Sequence, residues 1–369
     1  MFSNFDRFAM SRALTLAERG MDTTPPNPRV GCVIARGDHI IAEGWHERTG
    51  QAHAEIAALH AATEATAGAT AYVTLEPCSH HGRTPPCVDA LIQARLARVV
   101  FAVQDPDPRV SGRGAETLQR AGITVESGLM EAEATELNIG FMKRMRYGVP
   151  WVRVKLAMSL DGRTALASGE SKWITSDAAR SDVQVWRARS SAVMTGVGTV
   201  LADDPQLNVR LGGDTRRQPA RVVLDSRLLV TPTARLFDSD GDVVIFTAAE
   251  AAEAASASGV VNALLERGAR IEIVPGISGQ LDLPSVFGRL GELEFNEVLV
   301  ESGPTLAGVL LSEAFVDELL IYMAPKLLGP QGRPLINLAE LQSLEEAPSF
   351  ALVDTVRVGD DVRLRLRPR

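Results

Sequence analysis

All six histidines, at 39, 46, 53, 60, 80 and 81, and all three cysteines, at 32, 78 and 87, precede residue 88 of a 369-residue chain. Any chemistry that needs imidazole or thiolate is confined to the first quarter. A domain usually takes ~100–200 residues, so two domains are expected, and only the first can hold a soft-metal or thiol site. The second must fold and act with other side chains or with a borrowed reagent.

The chain reads as two α/β series. "FDRFAMSRALTLAERG" carries apolar residues at helical spacing and stops at Gly20. "RVGCVIARGDHIIAEGWH" reads as two strands around the Gly37-Asp38 turn. "AHAEIAALHAATEA" reads as helix, "AYVTLEPC" as a buried strand ending at Pro77, and "VDALIQARLARV" as helix before the strand "VVFAVQDPDP". Helix then strand repeats in "GAETLQRAGITVESG". The alternation argues for a sheet covered by helices. A joint is expected in the basic "MKRMRYGVPW", with Gly148 and Pro150, giving domains 1–147 and 148–369. Beyond it, strands are expected at "WVRVKLAM", "AVMTG", "ARVVLD", "DVVIFT", "ARIEIV" and "EVLVESG", and helices at 177–189, 261–267 and 305–313. The tail alternates and turns at Gly359-Asp360, as a β-hairpin does.

Hydrophobic residues make up 45%, enough for two cores, and the formal net charge of −8 gives no support for a nucleic-acid partner. No run of 18 apolar residues argues for a membrane span. The start lacks the apolar core of a signal peptide, and three cysteines without one suit a reducing cytosol.

The chemistry-bearing motifs are "HAE" at 53–55 and "PCSHHGRTPPC" at 77–87. Catalytic zinc takes three protein ligands and keeps one position open. His53, Cys78 and Cys87 supply three, while Cys32 sits in the apolar "VGCVI" as a core residue. Zinc lowers the pKa of water to ~7, and Glu55 would then take the proton and pass it to a leaving amine. Zinc deaminases combine H-x-E with P-C-x-x-C in this way. Cys78 and Cys87 are each expected to precede a helical turn, which favours thiolate. Residues i and i+2 do not share a helix face, so His53 and Glu55 converge only at a helix end. The alternatives are two small core cysteines beside a chance HAE, or a structural zinc. A structural zinc would want a fourth protein ligand and would leave Glu55 without a task.

Eight residues, "SHHGRTPP", separate the two cysteines where the usual pattern has two. "NPRVGCVI", "GWHERTGQAHAE" and "LEPCSHHGRTPPC" resemble the deaminase domain of the bifunctional riboflavin-biosynthesis deaminase/reductases. The resemblance implies a cytidine-deaminase-like three-layer α/β/α domain and a pyrimidine substrate bearing a phosphoribosylamino group. It also implies that Asn27 and His46 contact that substrate, and that His80 and Arg83 suit its phosphate. His46 reads equally as a solvated loop histidine. The rival enzyme, a deaminase of free nucleosides or tRNA, is disfavoured by the long loop and the acidic balance.

In the second half, "TGVGTV" (195–200) is a weak glycine motif. "VESGPTLAG" (300–308) is better: a strand ends at Glu301, the chain turns, and a helix opens whose N–H groups would hold a phosphate. "KLAMSLDGRTA", "SGESKWITS", "VGTVLADDPQLNVR" and "ESGPTLAG" resemble the reductase domain of the same family. That resemblance implies a dihydrofolate-reductase-like α/β fold, NADPH as hydride donor, and reduction of the ribose carbon to a ribityl chain. It implies NADPH contacts at Ala157, Trp173, Thr199, Asp203, Ser226 and the turn Gly303, Pro304, Thr305, Leu306, Ala307 and Gly308. Substrate contacts are implied at Ser171, Arg187, Leu207, Arg210 and Glu301, with Lys155 added as a further candidate. Asp203 is placed close to both ligands and suits proton transfer; it reads equally as a cap within "ADDP". Trp173 reads also as core, and Lys155 as a strand-face charge. The resemblance further implies a homodimer or homotetramer assembled through the reductase part, with no membrane or nucleic-acid partner.

Overall fold

The computed structural model describes residues 1–79, 85–107, 111–212 and 217–369. They form two compact units, Met1–Val149 and Pro150–Arg369.

The first unit runs α1 (Asn4–Glu18), β1 (Gly31–Arg36), β2 (His39–Trp45), α2 (Ala54–Ala61), β3 (Thr70–Leu75), α3 (Cys87–Gln93), β4 (Arg98–Val103), α4 (Arg113–Arg120), β5 (Thr124–Ser127), α5 (Glu131–Leu137) and α6 (Ile139–Tyr147). Its sheet is ordered β2-β1-β3-β4-β5. β1 is antiparallel to both neighbours, and β3, β4 and β5 are parallel. Alternation along β1 serves two cores. Val33 and Ala35 pack with Met10 and Leu14 of α1 and Phe141 of α6. Cys32 and Ile34 pack on the other face with Ala58 of α2, Leu91 of α3 and Leu118 of α4. Helices on both faces make three layers. Two glycines let the helices approach: a Cβ at Gly31 would lie 2.0 Å from the Ala13 carbonyl oxygen of α1, and one at Gly44 would lie 2.3 Å from the Ala58 nitrogen of α2. α1 begins on a capping box, with Ser3 and Asp6 exchanging hydrogen bonds.

The second unit continues β6 (Trp151–Ser159), β7 (Arg163–Ala165), α7 (Asp177–Arg189), β8 (Ala192–Gly196), α8 (Val197–Asp203), β9 (Ala220–Leu224), β10 (Val243–Ala248), α9 (Ala249–Ala257), α10 (Val260–Glu266), β11 (Ala269–Val274), β12 (Gly276–Ile277), β13 (Gln280–Leu281), α11 (Leu283–Glu292), β14 (Glu297–Glu301), α12 (Pro304–Ser312), β15 (Glu318–Ala324), β16 (Arg333–Pro334), β17 (Phe350–Val358) and β18 (Asp361–Pro368). A nine-stranded sheet is ordered β11-β10-β9-β8-β14-β6-β15-β18-β17. It is parallel from β11 through β15, and the hairpin β17–β18 adds antiparallel to β15. β15, the third strand from the β17 edge, is one that the sequence reading leaves out. Its "ELLIYMA" is a short, continuous apolar run, which periodicity does not separate from buried helix.

Charge is buried beside this sheet. Arg153 and Glu318 are both 0% exposed, Glu297 is 1% exposed, and all three interact. Arg365 and Arg367 also reach Glu318. The ring of Trp186 lies within 4.6–5.7 Å of Arg153, Arg189, Arg363 and Arg365. The aromatic faces and the carboxylates together neutralise the cluster.

Candidate active sites

His53 is the residue that caps the start of α2, in extended conformation and with no side-chain cap bond, so its ring is free to turn away from the helix. The site therefore lies at a helix end, as the i, i+2 spacing of His53 and Glu55 requires. Cys87 opens α3. Cys78 does not precede a helical turn within the described residues: 76–79 are irregular after β3, where Pro77 ends the strand.

The three ligand atoms lie within 4.8 Å of one another. His53 Nδ1 is 3.2 Å from Cys87 Sγ and 3.6 Å from Cys78 Sγ. A tetrahedron with Zn–S of ~2.3 Å and Zn–N of ~2.0–2.1 Å has edges of about 3.5–3.8 Å, so these atoms fit the ion with little movement. The Cys87 N–H donates to Cys78 Sγ at 3.3 Å. The Cys78 thiol is pulled down to about 4 by the Cys87 S–H, against burial, with His53 and that N–H adding. Cys87 is pushed up by the same pairing and by burial. The pair shares a proton that a divalent cation would displace.

Glu55 is 3% exposed and reaches Cys87. Burial, followed by the Cys78 charge, pushes its carboxyl up to about 7. Cys32 is fully buried in the core. Asn27 Nδ2 lies 3.1 Å from His46 Nε2, and His46 Nδ1 lies 3.0 Å from the Ala52 carbonyl oxygen. The carbonyl can only accept, so Nδ1 carries the proton and Nε2 accepts from the Asn27 amide. His46 is buried edge-on to His53, with ring centroids 5.5 Å apart, and burial lowers its pKa. It is not a solvated loop residue. His80 and Arg83 lie outside the described residues.

Cys87→Ser is expected to remove most of the zinc. A neutral hydroxyl replaces a thiolate, and a three-ligand site has no spare donor. Metal analysis of purified protein checks this, and retention of the wild-type zinc content would refute the ligand set.

In the second unit, a cavity of about 1120 Å³ opens at the carboxyl ends of β8, β9 and β14, where open α/β sheets place ligands. Glu301 is its electrostatic centre. Arg187 Nε and Nη2 donate to its two oxygens at 2.5 and 2.9 Å, while Arg187 Nη1 donates to the Asn208 carbonyl. Burial opposes ionisation of Glu301, but Arg187, Lys155 and Arg210 outweigh it and hold the carboxyl at about 2. Burial lowers the pKa of Lys155, and Glu301 partly restores it. Lys155 therefore faces the cavity and is not a solvated strand charge.

Ala157, Ser171, Trp173, Thr199, Asp203, Leu207, Arg210 and Ser226 line this cavity, with Gly303, Pro304, Thr305 and Leu306 at the start of α12. Ala307 and Gly308 do not. Ala307 is buried, and a Cβ at Gly308 would lie 1.9 Å from the Asn337 carbonyl oxygen, because this side of α12 packs against that loop. Trp173 is 64% exposed beneath Arg180, whose guanidinium is 4.3 Å from the ring centroid, so it is not core. Within "ADDP" the cap is Asp204, which accepts from the Arg235 N–H at 2.8 Å. Asp203 is half-exposed, 3.8 Å from Lys172 Nζ. Lys172, Arg180, Arg235 and Arg333 also line the cavity. They come from separate elements, Arg180 from α7, Arg333 from β16 and the other two from connecting segments, and carry no spacing that would have marked them.

The family model for the cytidine and deoxycytidylate deaminase zinc-binding region matches residues 3–103, and the model for the RibD C-terminal domain matches 150–364. The riboflavin biosynthesis protein RibD of Escherichia coli is 51% identical over 98% of this chain and 99% of its own. That of Haemophilus influenzae is 44% identical over 100% and 99%. The solved Acinetobacter baumannii RibD superposes with a TM-score of 0.90 at 44% identity, covering 99% of each chain. A Thermotoga maritima deaminase/reductase superposes at 0.85 with 33% identity, again over 99% of each. Zinc and NADPH are the cofactors that go with these two domains. The chain belongs to the RibD family, the bifunctional deaminase/reductases of riboflavin biosynthesis.

Proposed function

We propose that residues 1–147 deaminate a diaminohydroxy-pyrimidine bearing a phosphoribosylamino group, and that residues 148–369 then reduce the phosphoribosylamino-uracil formed. The Thermotoga maritima relative is a diaminohydroxyphosphoribosylaminopyrimidine deaminase/5-amino-6-(5-phosphoribosylamino)uracil reductase. The observation that carries the assignment is the buried Glu55 carboxylate against the His53, Cys78 and Cys87 cluster. Bound zinc supplies Lewis-acid activation of water. Glu55 would carry both protons of the attacking water, one to the ring nitrogen and one to the exocyclic amine, so that ammonia leaves as the carbonyl forms. Asn27 and His46, joined to each other, brace the wall beside His53. His80 and Arg83 are assigned to the substrate phosphate.

In the second cavity NADPH supplies the hydride. Ala157, Trp173, Thr199, Ser226 and the Gly303–Leu306 turn are assigned to the cofactor; Ser171, Arg187, Leu207 and Arg210 to the substrate. Lys155 and Glu301 are likewise assigned to the substrate, and Asp203, which lines the cavity, to the cofactor and to proton transfer. An assay in two stages tests the scheme. Ammonia release should need no NADPH, and NADPH oxidation should need the deaminated product. NADPH oxidation on undeaminated substrate would refute the order.

NADPH is expected to bind more tightly than NADH by about one to two orders of magnitude, the worth of a charge-assisted contact of ~1.5–3 kcal/mol to the extra phosphate. Ser226 and Arg235 line the cavity beyond β9; Arg227 does not. Titration of the full chain with both nucleotides in the presence of chelator checks this. Equal affinities, or chelator-sensitive reduction, would refute it. The reading includes a cytosolic location, where thiolate ligands stay reduced. It also includes a homodimer or homotetramer through the second unit. In support, the edge strand β17 exposes Leu352, Val353 and Val356.

A further inference from the structure

Glu76 is a buried acid that no step above uses. It follows β3, is 3% exposed, and continues the parallel pairing through its N–H to the Val103 carbonyl at 2.9 Å. Its carboxylate accepts four backbone N–H groups. Oε2 takes those of Asp105 and Gly112 at 3.3 and 3.0 Å; Oε1 takes those of Gly114 and Ala115 at 3.0 and 3.2 Å. Three of the four belong to the start of α4. Gly112, at its N-cap, has φ +81° and no side chain to offer, so Glu76 caps the helix from across the sheet. The contact draws α4 against the chain that leads to the metal cluster. A Cβ at Gly114 would lie 2.2 Å from the Pro77 carbonyl oxygen. Pro77 is the residue between Glu76 and Cys78.

We infer that Glu76 is a positioning residue for the zinc site: by binding the backbone N–H groups of Asp105, Gly112, Gly114 and Ala115 it clamps α4 onto the Pro77–Cys78 peptide and fixes where the Cys78 sulfur points. This rests on the zinc reading given above. The clamp has the character of an outer-shell contact to a metal ligand, made through backbone instead of through the ligand atom. Such contacts typically change metal affinity or activity by ~10–100-fold when lost. Glu76→Gln keeps the volume and one acceptor oxygen. It turns an NH₂ group toward two of the four donors, so those N–H groups lose their acceptor.

The test uses the full chain loaded with Co²⁺, whose visible absorption reports thiolate geometry. Wild-type protein should give the intense bands of a cobalt–thiolate site. Glu76→Gln should shift or weaken them and release cobalt to a chelator about 10–100-fold faster, with reduction of pre-deaminated substrate unchanged. Gly114→Ala provides a second route. Alanine raises helix propensity, so propensity alone expects no harm. The clamp instead expects the new Cβ to push Pro77 and alter the same bands with Glu76 intact. A lowered melting temperature with wild-type spectrum and release rate in Glu76→Gln would overturn the inference. If that variant does not fold, an unaltered spectrum in Gly114→Ala overturns it. Wild-type protein that takes up no cobalt or zinc would instead refute the zinc reading itself.

Discussion

Glu55→Gln is expected to slow ammonia release by about 10²–10⁴-fold, the usual worth of a positioned general acid–base group. The side chain is 3% exposed and lies against Cys87. Gln fills the same space and can still hydrogen-bond, but it cannot take a proton from one atom and give it to another. The ligand atoms of His53, Cys78 and Cys87 are untouched, so zinc content should stay at the wild-type level. Reduction of pre-deaminated substrate should also stay normal, because among the described residues those lining the Glu301 cavity all fall between 155 and 337. Ammonia release, NADPH oxidation and metal content, measured on one preparation, separate these outcomes. A folded variant that has lost both reactions would refute the division of labour between the units.

Glu318→Ala should destabilise the second unit by about 3–5 kcal/mol, the usual cost of breaking a buried ion pair by removing one partner. Glu318 meets Arg153, Arg365 and Arg367, and it is 0% exposed. Without it, Arg153 keeps only Glu297 and the Trp186 face as counterweights. Burial works against the ionised carboxyl, but Arg153 and Arg365 outweigh it and hold its pKa at about 2. A carboxyl depressed from its ordinary value of about 4.5 contributes stability that is full above about pH 4.5 and is lost as pH falls toward 2. The wild type should therefore lose its advantage over Glu318→Ala across that window. Urea unfolding followed separately for each transition reads the difference, since a two-unit chain need not unfold in one step. A loss below about 1 kcal/mol at neutral pH, which is the range of an exposed pair, would refute the argument.

The metal cluster was legible because its chemistry demands rare residues. His53, Cys78 and Cys87 are few enough that their spacing carries information, and Pro77 marks the strand end beside them. The fold class was legible from the alternation of helix-like and strand-like segments, with the Gly37-Asp38 turn marking off β1 from β2. The clamp on Cys78 was not: Glu76 acts on backbone N–H groups that any sequence supplies, and a single acid at a strand end looks like many others. β15 was missed because strands buried on both faces lose the period of two. The extra cations of the second cavity were missed because Lys172, Arg180, Arg235 and Arg333 are gathered only by folding. Ala307 and Gly308 show the reverse error. They belong to a motif that opens on the cavity, but a helix turns, and two residues past the opening its side chains face the packing side.

The first unit closes both of its cores with residues that all precede the first strand of the second unit in the chain. Chains fold domain by domain in the order of synthesis, so the nascent polypeptide has everything it needs to trap its metal while the rest is still being translated. The two thiols then spend little time exposed and unligated, the state in which oxidation would destroy the site. The second unit contributes no soft ligand that could compete for the ion during that interval, because its sequence holds neither histidine nor cysteine. The order of the two units along the chain thus lets metal capture precede completion of the second unit.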